Sequence, residues 1–232
     1  MNVTSKQPPK KYKCEPIGKI NFDGKRLKDT FGWDKNKGGY YYNSNGRKVP
    51  DRILYKATKE EVDRIATKIE KTTNQLLGNR INFEQWQRDM TAHVKNGHVL
   101  QARLGRGGKD NTFAIHYLDV ATELRVNQYP RLRRFAKDIK DGKLTEKQIL
   151  SRAKLYGLST KSSFEKARLS NFKKDDKIVL GRRRLGACAP HCASCLRYAG
   201  FGWIGLDKII PPGQQCECGG NCCCSVEIRE EG

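Results

Sequence analysis

Apolar residues recur with helical spacing in the middle of the chain. Thr58-Lys-Glu-Glu61 has the form of a capping box, in which a threonine and a glutamate side chain cap the first turn of a helix. Beyond it, apolar residues three or four positions apart form one face of the predicted helix: Val62, Ile65, Ala66, Ile69 and Leu76. Gly78 is predicted to end this helix, and Asn82 to cap a second one.

The periodicity continues through the next part of the chain. The inward face of the second predicted helix holds Phe83, Trp86, Met90 and Val94. A third helical stretch is predicted over about 117–140, and we expect Pro130 to kink or split it. Thr145 is predicted to open another stretch that reaches about residue 172. Residues 57–172 therefore predict four or five helices joined by short loops, as in a helical hairpin or bundle domain.

The first 56 residues lack a helical period. They are rich in Lys, Gly and Asn, so we predict an extended basic arm. Asn45-Gly46 is a strong signal for a hairpin turn, and it follows the three tyrosines Tyr40, Tyr41 and Tyr42. Two interpretations of this hairpin are open: it docks on a neighbouring molecule through the tyrosines, or it packs on its own domain.

Cysteines are concentrated near the C-terminal end, and seven of the nine lie between Cys192 and Cys224. The pattern is Cys192-x-x-Cys195, a spacer of twenty residues, and then Cys216, Cys218, Cys222, Cys223 and Cys224. A C-x-x-C turn places two thiolates at the separation that tetrahedral zinc needs, and a second pair from a distant loop completes a four-sulfur site. Because this segment has little other core, a structural metal would supply its folding energy. Disulfides and an iron–sulfur cluster are the alternatives.

The net charge is +21, from 46 basic and 25 acidic residues. Two arginine patches stand out: Arg131, Arg133 and Arg134, and then Arg182, Arg183 and Arg184. Such a surplus favours a polyanion, most simply nucleic acid, whose phosphates release counterions on binding. We therefore predict DNA contacts for both patches. No stretch approaches the roughly 18 apolar residues of a membrane span, and the N-terminus lacks the apolar segment of a signal peptide, so a reducing cytoplasm is expected.

No catalytic residue is predicted. His93 and His98 lie five positions apart, which misses the HExxH spacing of zinc proteases, and both are expected to be surface or core histidines. The sequence contains no nucleophile elbow, paired-carboxylate signature or dinucleotide fingerprint. Seven crowded sulfurs are also a poor arrangement for one reactive thiolate. We therefore predict that the chain is not an enzyme.

Several segments occur in an order that is itself informative. They are GRKVP, INFEQWQRDM with the later GRGGKD, NQYPRLRRFAKDIKDGKLTEKQILSRAKLYG, and the cysteine-rich end. That end contains His191-Cys192-x-x-Cys195, Gly202-Trp203, Pro211-Pro212-Gly213 and Cys218-Gly-Gly-Asn221-Cys222-x-Cys224. These segments are spread in order over most of the chain, and they resemble a family of minor head, or head-morphogenesis, proteins of tailed bacteriophages. Cys188, Cys216 and Cys223 depart from the family pattern, and Cys223 stands where a basic residue is expected.

The resemblance implies a structural protein of the virion head, assembled in the host cytoplasm. It implies docking on the portal or the major capsid protein, several copies in the particle, contact with packaged double-stranded DNA without sequence preference, and no membrane partner. The family's metal-site positions, carried onto this chain, are Cys192, Cys195, Cys218, Cys222 and Cys224. Four of them are expected to hold one structural Zn²⁺ ion: Cys192, Cys195, Cys218 and Cys222, with Cys224 as a rival for the last place.

The expected architecture is mainly α. Residues 1–56 form the basic arm with its hairpin, residues 57–175 the helical domain, and residues 176–232 a small zinc-clipped module. The alternative function is a zinc-dependent nucleic-acid-binding regulator, which is expected to carry basic and amide residues on a recognition helix beside the zinc turn. Only Arg197 and Lys208 are basic between the two cysteine groups, among several large apolar residues, so the composition favours protein docking.

Overall fold

The computed structural model describes residues 21–22, 25–26, 31–107, 120–172, 178–187 and 190–231. Its α-helices are α1 (Asp51–Leu77), α2 (Phe83–Arg106), α3 (Tyr129–Lys140), α4 (Glu146–Ser159), α5 (Lys161–Asn171) and α6 (Ala193–Gly200). Its strands are β1 (Asn21–Phe22), β2 (Lys25–Arg26), β3 (Phe31–Asp34), β4 (Gly39–Tyr42), β5 (Ile178–Arg184), β6 (Ile204–Gly205) and β7 (Ser225–Glu231). The prediction of a mainly α fold, with a helical bundle followed by a small C-terminal module, is confirmed.

The bundle is built on a long hairpin of α1 and α2. Helix α4 packs along α1 and helix α5 packs along α2. The backbones of α1 and α4 come very close, because a Cβ at Gly157 would lie only 2.6 Å from Ala66 Cα. Aromatic rings fill the centre: Trp86 meets Phe135 edge to face at 5.7 Å between centroids, and Phe135 stacks on Tyr156 at 5.8 Å. Burial of these rings supplies much of the apolar stabilisation of the bundle.

The predicted start of the first helix is wrong. Helix α1 begins at Asp51, directly after Pro50, and Thr58 lies inside it with its hydroxyl donating to the carbonyl oxygen of Leu54 at 3.0 Å. Leu54 and Ala57 are almost fully buried, so the apolar face continues upstream of the capping-box sequence. Tertiary burial of these residues therefore overrides the local start signal.

The later helix signals agree with the structure. Asn82 accepts a hydrogen bond from the backbone N–H of Gln85, and Thr145 forms a complete capping box with Gln148. Pro130 lies in the first turn of α3, immediately after the π-helical turn Leu124–Gln128. The expected interruption of this helical stretch thus falls just before the proline.

The β3–β4 hairpin packs on the helices of its own chain. Tyr40 is buried, and its hydroxyl donates to the carbonyl oxygen of Gly105 while accepting a 3.2 Å hydrogen bond from Asn171 Nδ2. Asn45-Gly46 does form a turn, with Gly46 at φ +64°. This turn follows β4 and brings Lys48 back beside the strand, where Lys48 forms an isolated antiparallel bridge with Tyr41. Residues 1–20 of the predicted arm lie outside the described residues.

The C-terminal module contains a three-stranded antiparallel sheet. Strand β5 is central, with β6 on one side and β7 on the other, and β5 pairs with β7 from Ile178↔Glu231 to Arg184↔Ser225. Val179, Leu206 and Val226 pack under this sheet against Leu169 of α5. The predicted domain boundary at residue 175 lies outside the described residues, between α5 and β5.

Candidate metal centre

Three short segments deliver the cysteines to one place. Cys192 immediately precedes α6 and Cys195 lies in its first turn. Cys216 and Cys218 occupy the turn before a short 3₁₀-helix, Gly219–Asn221, and Cys222 and Cys224 lead from that helix into β7. The six thiols are free, and they pack together beside the sheet.

Four of these sulfurs form a compact group. The Sγ atoms of Cys195, Cys216, Cys218 and Cys222 all lie within 4.8 Å of one another. Cys195 Sγ is 3.7 Å from both Cys218 Sγ and Cys222 Sγ. A tetrahedral ion with metal–sulfur bonds of about 2.3 Å has sulfur–sulfur edges of about 3.8 Å. The four cysteines can therefore hold one metal ion with little rearrangement.

The predicted ligands agree with this group only in part. Cys195, Cys218 and Cys222 belong to it, whereas Cys216, which departs from the family pattern, takes the place expected for Cys192. The backbone N–H of Gly213 donates a hydrogen bond to Cys216 Sγ at 3.3 Å. Cys192 and Cys224 lie at the edge of the group. The sulfur of Cys192 is within hydrogen-bonding reach of Cys195 and Cys218. The sulfur of Cys224 is within hydrogen-bonding reach of Cys195 and Cys222.

The thiols differ in how readily they ionise. Burial, together with hydrogen bonding to Cys192, raises the pKa of Cys195 and of Cys218. For Cys192, desolvation opposes the thiolate, but the backbone N–H groups of Cys195 and Cys218 donate to its sulfur and lower its pKa to about 7. A metal ion binds thiolates, so its entry must displace the protons that burial retains on Cys195 and Cys218.

Arg183 belongs to the cysteine cluster, and its predicted role as a DNA contact is wrong. Its side chain is only 4% exposed, and its guanidinium donates to the carbonyl oxygen of Ile210 and lies 3.8 Å from Cys222 Sγ. Alternation along β5 places Arg183 on the inner face and Arg182 and Arg184 on the outer face, where both pair with Glu227. The buried cation faces sulfurs that become negative when they ionise.

A second group of possible ligands borders the first. His191, Cys223 and Cys224 lie within 4.8 Å of one another. Cys223 is disulfide-bonded, however, so its sulfur is not a free ligand. Cys224 is thus the cysteine of this group that is free to bind a metal ion.

The cysteine cluster is attached to the helical bundle. Lys161, at the start of α5, donates to the carbonyl oxygens of Cys222 at 3.2 Å and Cys224 at 3.1 Å. Gly220 packs against the end of α4, where a Cβ would lie 3.0 Å from the backbone nitrogen of Ser159. The module therefore rests on the junction between α4 and α5.

The remaining predicted DNA contacts are at the surface. Arg131, Arg133 and Arg134 are exposed on α3, as are Lys137 and Lys140. Asp138, the acidic residue of this helix, is paired with Arg152 at 2.7 Å. The exposed face of α3 is therefore strongly basic. Arg182 instead lies over the ring of Trp203 at 4.7 Å, and Arg229 lies over the same ring at 4.4 Å.

Both helix α2 histidines have structural partners. His98 is fully buried with its Nδ1 atom 2.7 Å from Ser163 Oγ, and burial lowers the pKa of His98 to about 4. His93 Nε2 lies 3.1 Å from Thr72 Oγ1. These contacts place His98 in the core and tie His93 to α1.

Comparison of the chain with protein-family models, with curated proteins and with solved structures finds no match. The resemblance to phage minor head proteins therefore stays a prediction from the motifs in the sequence. Among the described residues, no helix combines the length and the apolar character that crossing a membrane requires.

Proposed function

We propose that this chain is a structural protein of a tailed-phage head, a minor head protein that docks on the portal or major capsid protein and contacts packaged DNA. The basic face of α3 is the observation that carries the proposal. Arg133, Arg134 and Lys137 point away from the buried residues Leu132, Phe135 and Ala136. Lys137 also lies 3.7 Å from the carboxylate of Asp141, so arginines predominate among the other cations of this face. A rigid helix that presents several cations on one face suits the phosphates of packed DNA.

In this proposal the metal ion is a structural Zn²⁺. An all-sulfur set with tetrahedral edges is typical of structural zinc sites, whose four protein ligands leave no position open for substrate. The ion would join α6, the 3₁₀-helix and the start of β7, which share little apolar core apart from the cysteines. Its role is to close the module, and we propose no enzymatic reaction for the chain.

The surface of the module supports protein docking. Leu196 and Phe201, in and just after α6, are 52% and 54% exposed. A partner that covered these side chains would gain apolar burial, and the portal and the capsid are the candidates that the resemblance implies.

The alternative function, a zinc-dependent nucleic-acid-binding regulator, fits α6 poorly. A recognition helix carries several basic or amide side chains toward the base edges. Helix α6 has the sequence ASCLRYAG, in which Arg197 is the one basic residue. If this helix lay in a groove of DNA, the exposed apolar side chain of Leu196 would contact the DNA in place of a basic or amide side chain.

Particle composition tests the proposal. Phage heads that encode this chain are purified on density gradients, and the proteins are quantified by mass spectrometry against the portal protein. We expect the chain at a fixed ratio that survives high-salt washing of intact heads, and elemental analysis of the isolated chain should find zinc. Absence of the chain from intact heads would overturn the structural role. Tight sequence-specific DNA binding by the isolated monomer would favour the regulator.

A further inference from the structure

Arg183 is a buried cation that forms no salt bridge with a carboxylate in the described part of the chain. Its side chain is only 4% exposed. Its neighbours on β5, Arg182 and Arg184, form their salt bridges on the outer face of the sheet, and the buried carboxylate of Glu165 pairs with Arg168. A buried charge is costly unless an opposite charge lies close to it. We therefore looked for another source of negative charge beside Arg183.

The cysteine cluster lies against this guanidinium. One terminal nitrogen of Arg183 is 3.8 Å from Cys222 Sγ, and the other donates to the carbonyl oxygen of Ile210. Ile210 leads into the turn in which the backbone N–H of Gly213 donates to Cys216 Sγ at 3.3 Å. The two prongs of one guanidinium thus contact a sulfur of the compact group and the turn that leads to another.

A second cation supports the same stretch of chain from the bundle. Lys161 Nζ donates to the carbonyl oxygens of Cys222 at 3.2 Å and Cys224 at 3.1 Å. No salt bridge involves Lys161 among the residues that the structure describes. Lys161 and Arg183 therefore approach Cys222 from two sides, one at its backbone and the other at its sulfur.

The charge of the cluster depends on its chemical state. Four thiolates and one divalent ion carry a net charge of −2, whereas four thiols or two disulfides carry none. Two cations beside the compact group match the metal-bound state. In the other two states Arg183 would be a buried cation facing neutral sulfurs.

We propose that Arg183 and Lys161 are the charge-compensating residues of a four-thiolate metal site with a net charge of −2, and that they set its affinity for a divalent ion. Arg183 also positions Cys222 through its N–H···S contact. The inference rests on the structural metal site of the proposed function and names two residues outside the ligand set on which binding depends. Groups that support ligands in this way typically change metal affinity about 10–100-fold when they are removed.

Competition for Zn²⁺ between the full chain and a chromophoric chelator, under a non-thiol reductant, measures the affinity. Arg183→Met removes the buried charge, and we expect about 10–100-fold weaker binding. Arg184→Met is the matched control, because Arg184 lies on the outer face of the same strand and pairs with Glu227. It should bind zinc as tightly as the wild type does. Equal losses in the two variants would overturn the specific role of Arg183.

Arg183→Lys separates charge from shape. A lysine keeps the positive charge but lacks the two-pronged donor group that contacts both Ile210 and Cys222. We expect a smaller loss of affinity than in Arg183→Met. If the lysine variant binds zinc as weakly as the methionine variant, charge is not what the site requires and the compensation is refuted.

Lys161 provides a test that does not disturb the interior of the module, because this residue is half-buried at its border with α5. Lys161→Met should weaken zinc binding, Lys161→Arg should restore most of it, and Lys166→Met, on the exposed face of the same helix, should have no effect. Full affinity in Lys161→Met would remove Lys161 from the proposal.

Cobalt(II) spectra of the saturated proteins show whether the ligands themselves have changed. Every variant should give the four-sulfur spectrum of the wild type, since no ligand is replaced. A different spectrum would mean that a ligand is lost and that the residue does not act through charge. A wild type that binds no divalent ion would overturn the metal site of the proposed function as well. Tight binding by the wild type and by both methionine variants would overturn this inference alone.

Discussion

The guanidinium of Arg168 donates a hydrogen bond of 3.0 Å to the carbonyl oxygen of Val226, which joins helix α5 to strand β7. The same guanidinium lies 3.9 Å from the carboxylate of Glu165 and 3.7 Å from that of Asp51. Glu165 is fully buried, and burial raises the pKa of Glu165 while Arg168 lowers it. A buried ion pair within the bundle is therefore hydrogen-bonded to the backbone of the module.

Replacing Arg168 should destabilise the whole chain. Arg168→Met leaves Glu165 buried without its cation, which typically costs about 3–5 kcal/mol when one partner of a buried pair is removed. The double variant Arg168→Met/Glu165→Gln removes both charges and should recover much of the loss. Urea unfolding measures both, and equal stability of the single and double variants would show that the ion pair is not the cause.

The close approach of Gly220 to α4 makes a second prediction. Gly220→Ala places a Cβ 3.0–3.2 Å from backbone atoms of Ser159 and Leu155, which cannot move as freely as a side-chain end. We expect a loss of about 1–3 kcal/mol from overpacking, and faster removal of the metal by a chelator. Gly200→Ala is the matched control, because nothing lies within 4 Å of its Cβ position. If both variants lose metal at the same rate, the module does not depend on this contact.

DNA affinity should depend on the basic face of α3. Replacing Arg133, Arg134 and Lys137 by Gln should weaken binding equally for all DNA sequences, because phosphate contacts carry no sequence information. The slope of log affinity against log salt should fall by about 0.9 for each phosphate that the variant no longer neutralises, hence by about 2–3. Fluorescence anisotropy over a range of salt concentrations measures this slope.

The control for that variant removes three exposed lysines from α1: Lys59, Lys68 and Lys71. Helix α1 also carries several acidic residues, so its surface is mixed in charge. An equal decrease of affinity in both triple variants would mean that net charge alone, and not the α3 face, attracts DNA.

Stability should fall in mild acid because of His98. Burial lowers the pKa of His98 from 6.5 to about 4, and its Nε2 atom has no hydrogen-bond partner among the described residues. Between these two pKa values the unfolded chain binds more protons than the folded chain, so the free energy of unfolding decreases as pH falls from about 6.5 to about 4. The decrease amounts to about 3 kcal/mol at 1.36 kcal/mol per pKa unit.

His98→Gln isolates this contribution. Acid also releases metal from the cysteine cluster, but that effect is common to both proteins and cancels in their difference. We measure the free energy of unfolding of wild type and variant in urea at pH 7, 5.5 and 4.5. The difference between the two proteins should change over this range by most of the decrease expected from His98. A constant difference across this range would mean that His98 does not titrate as its burial requires.

Local signals in the sequence predict some helix ends well and others poorly. Asn82 and Thr145 cap helices as predicted, because a side-chain cap binds a backbone N–H only a few residues away. Thr58 has the same local signature, yet α1 begins at Asp51 because Leu54 and Ala57 are buried by contacts distant in sequence. A capping signal thus marks a helix end only where the upstream residues have nothing to pack against.

The candidate site shows the same division. Cysteine spacing predicts a metal centre, and Cys195, Cys218 and Cys222 are in it. Spacing alone does not tell which sulfurs lie in the compact group, and Cys216, which accepts a hydrogen bond from the backbone N–H of Gly213, is one of them. The burial of Arg183 was accessible from the sequence in principle: in a strand, Arg182 and Arg184 must face one way and Arg183 the other.

The contacts of Arg182 and Arg229 with Trp203 have a practical consequence. Trp203 lies against two guanidinium groups at the surface of the module's sheet, whereas Trp86 is enclosed among aromatic rings in the bundle. The two indoles therefore occupy surroundings of very different polarity. A chain in which Trp33 and Trp86 are replaced by Phe would give an emission spectrum that responds to opening of the module alone, an optical probe supplied by the native sequence.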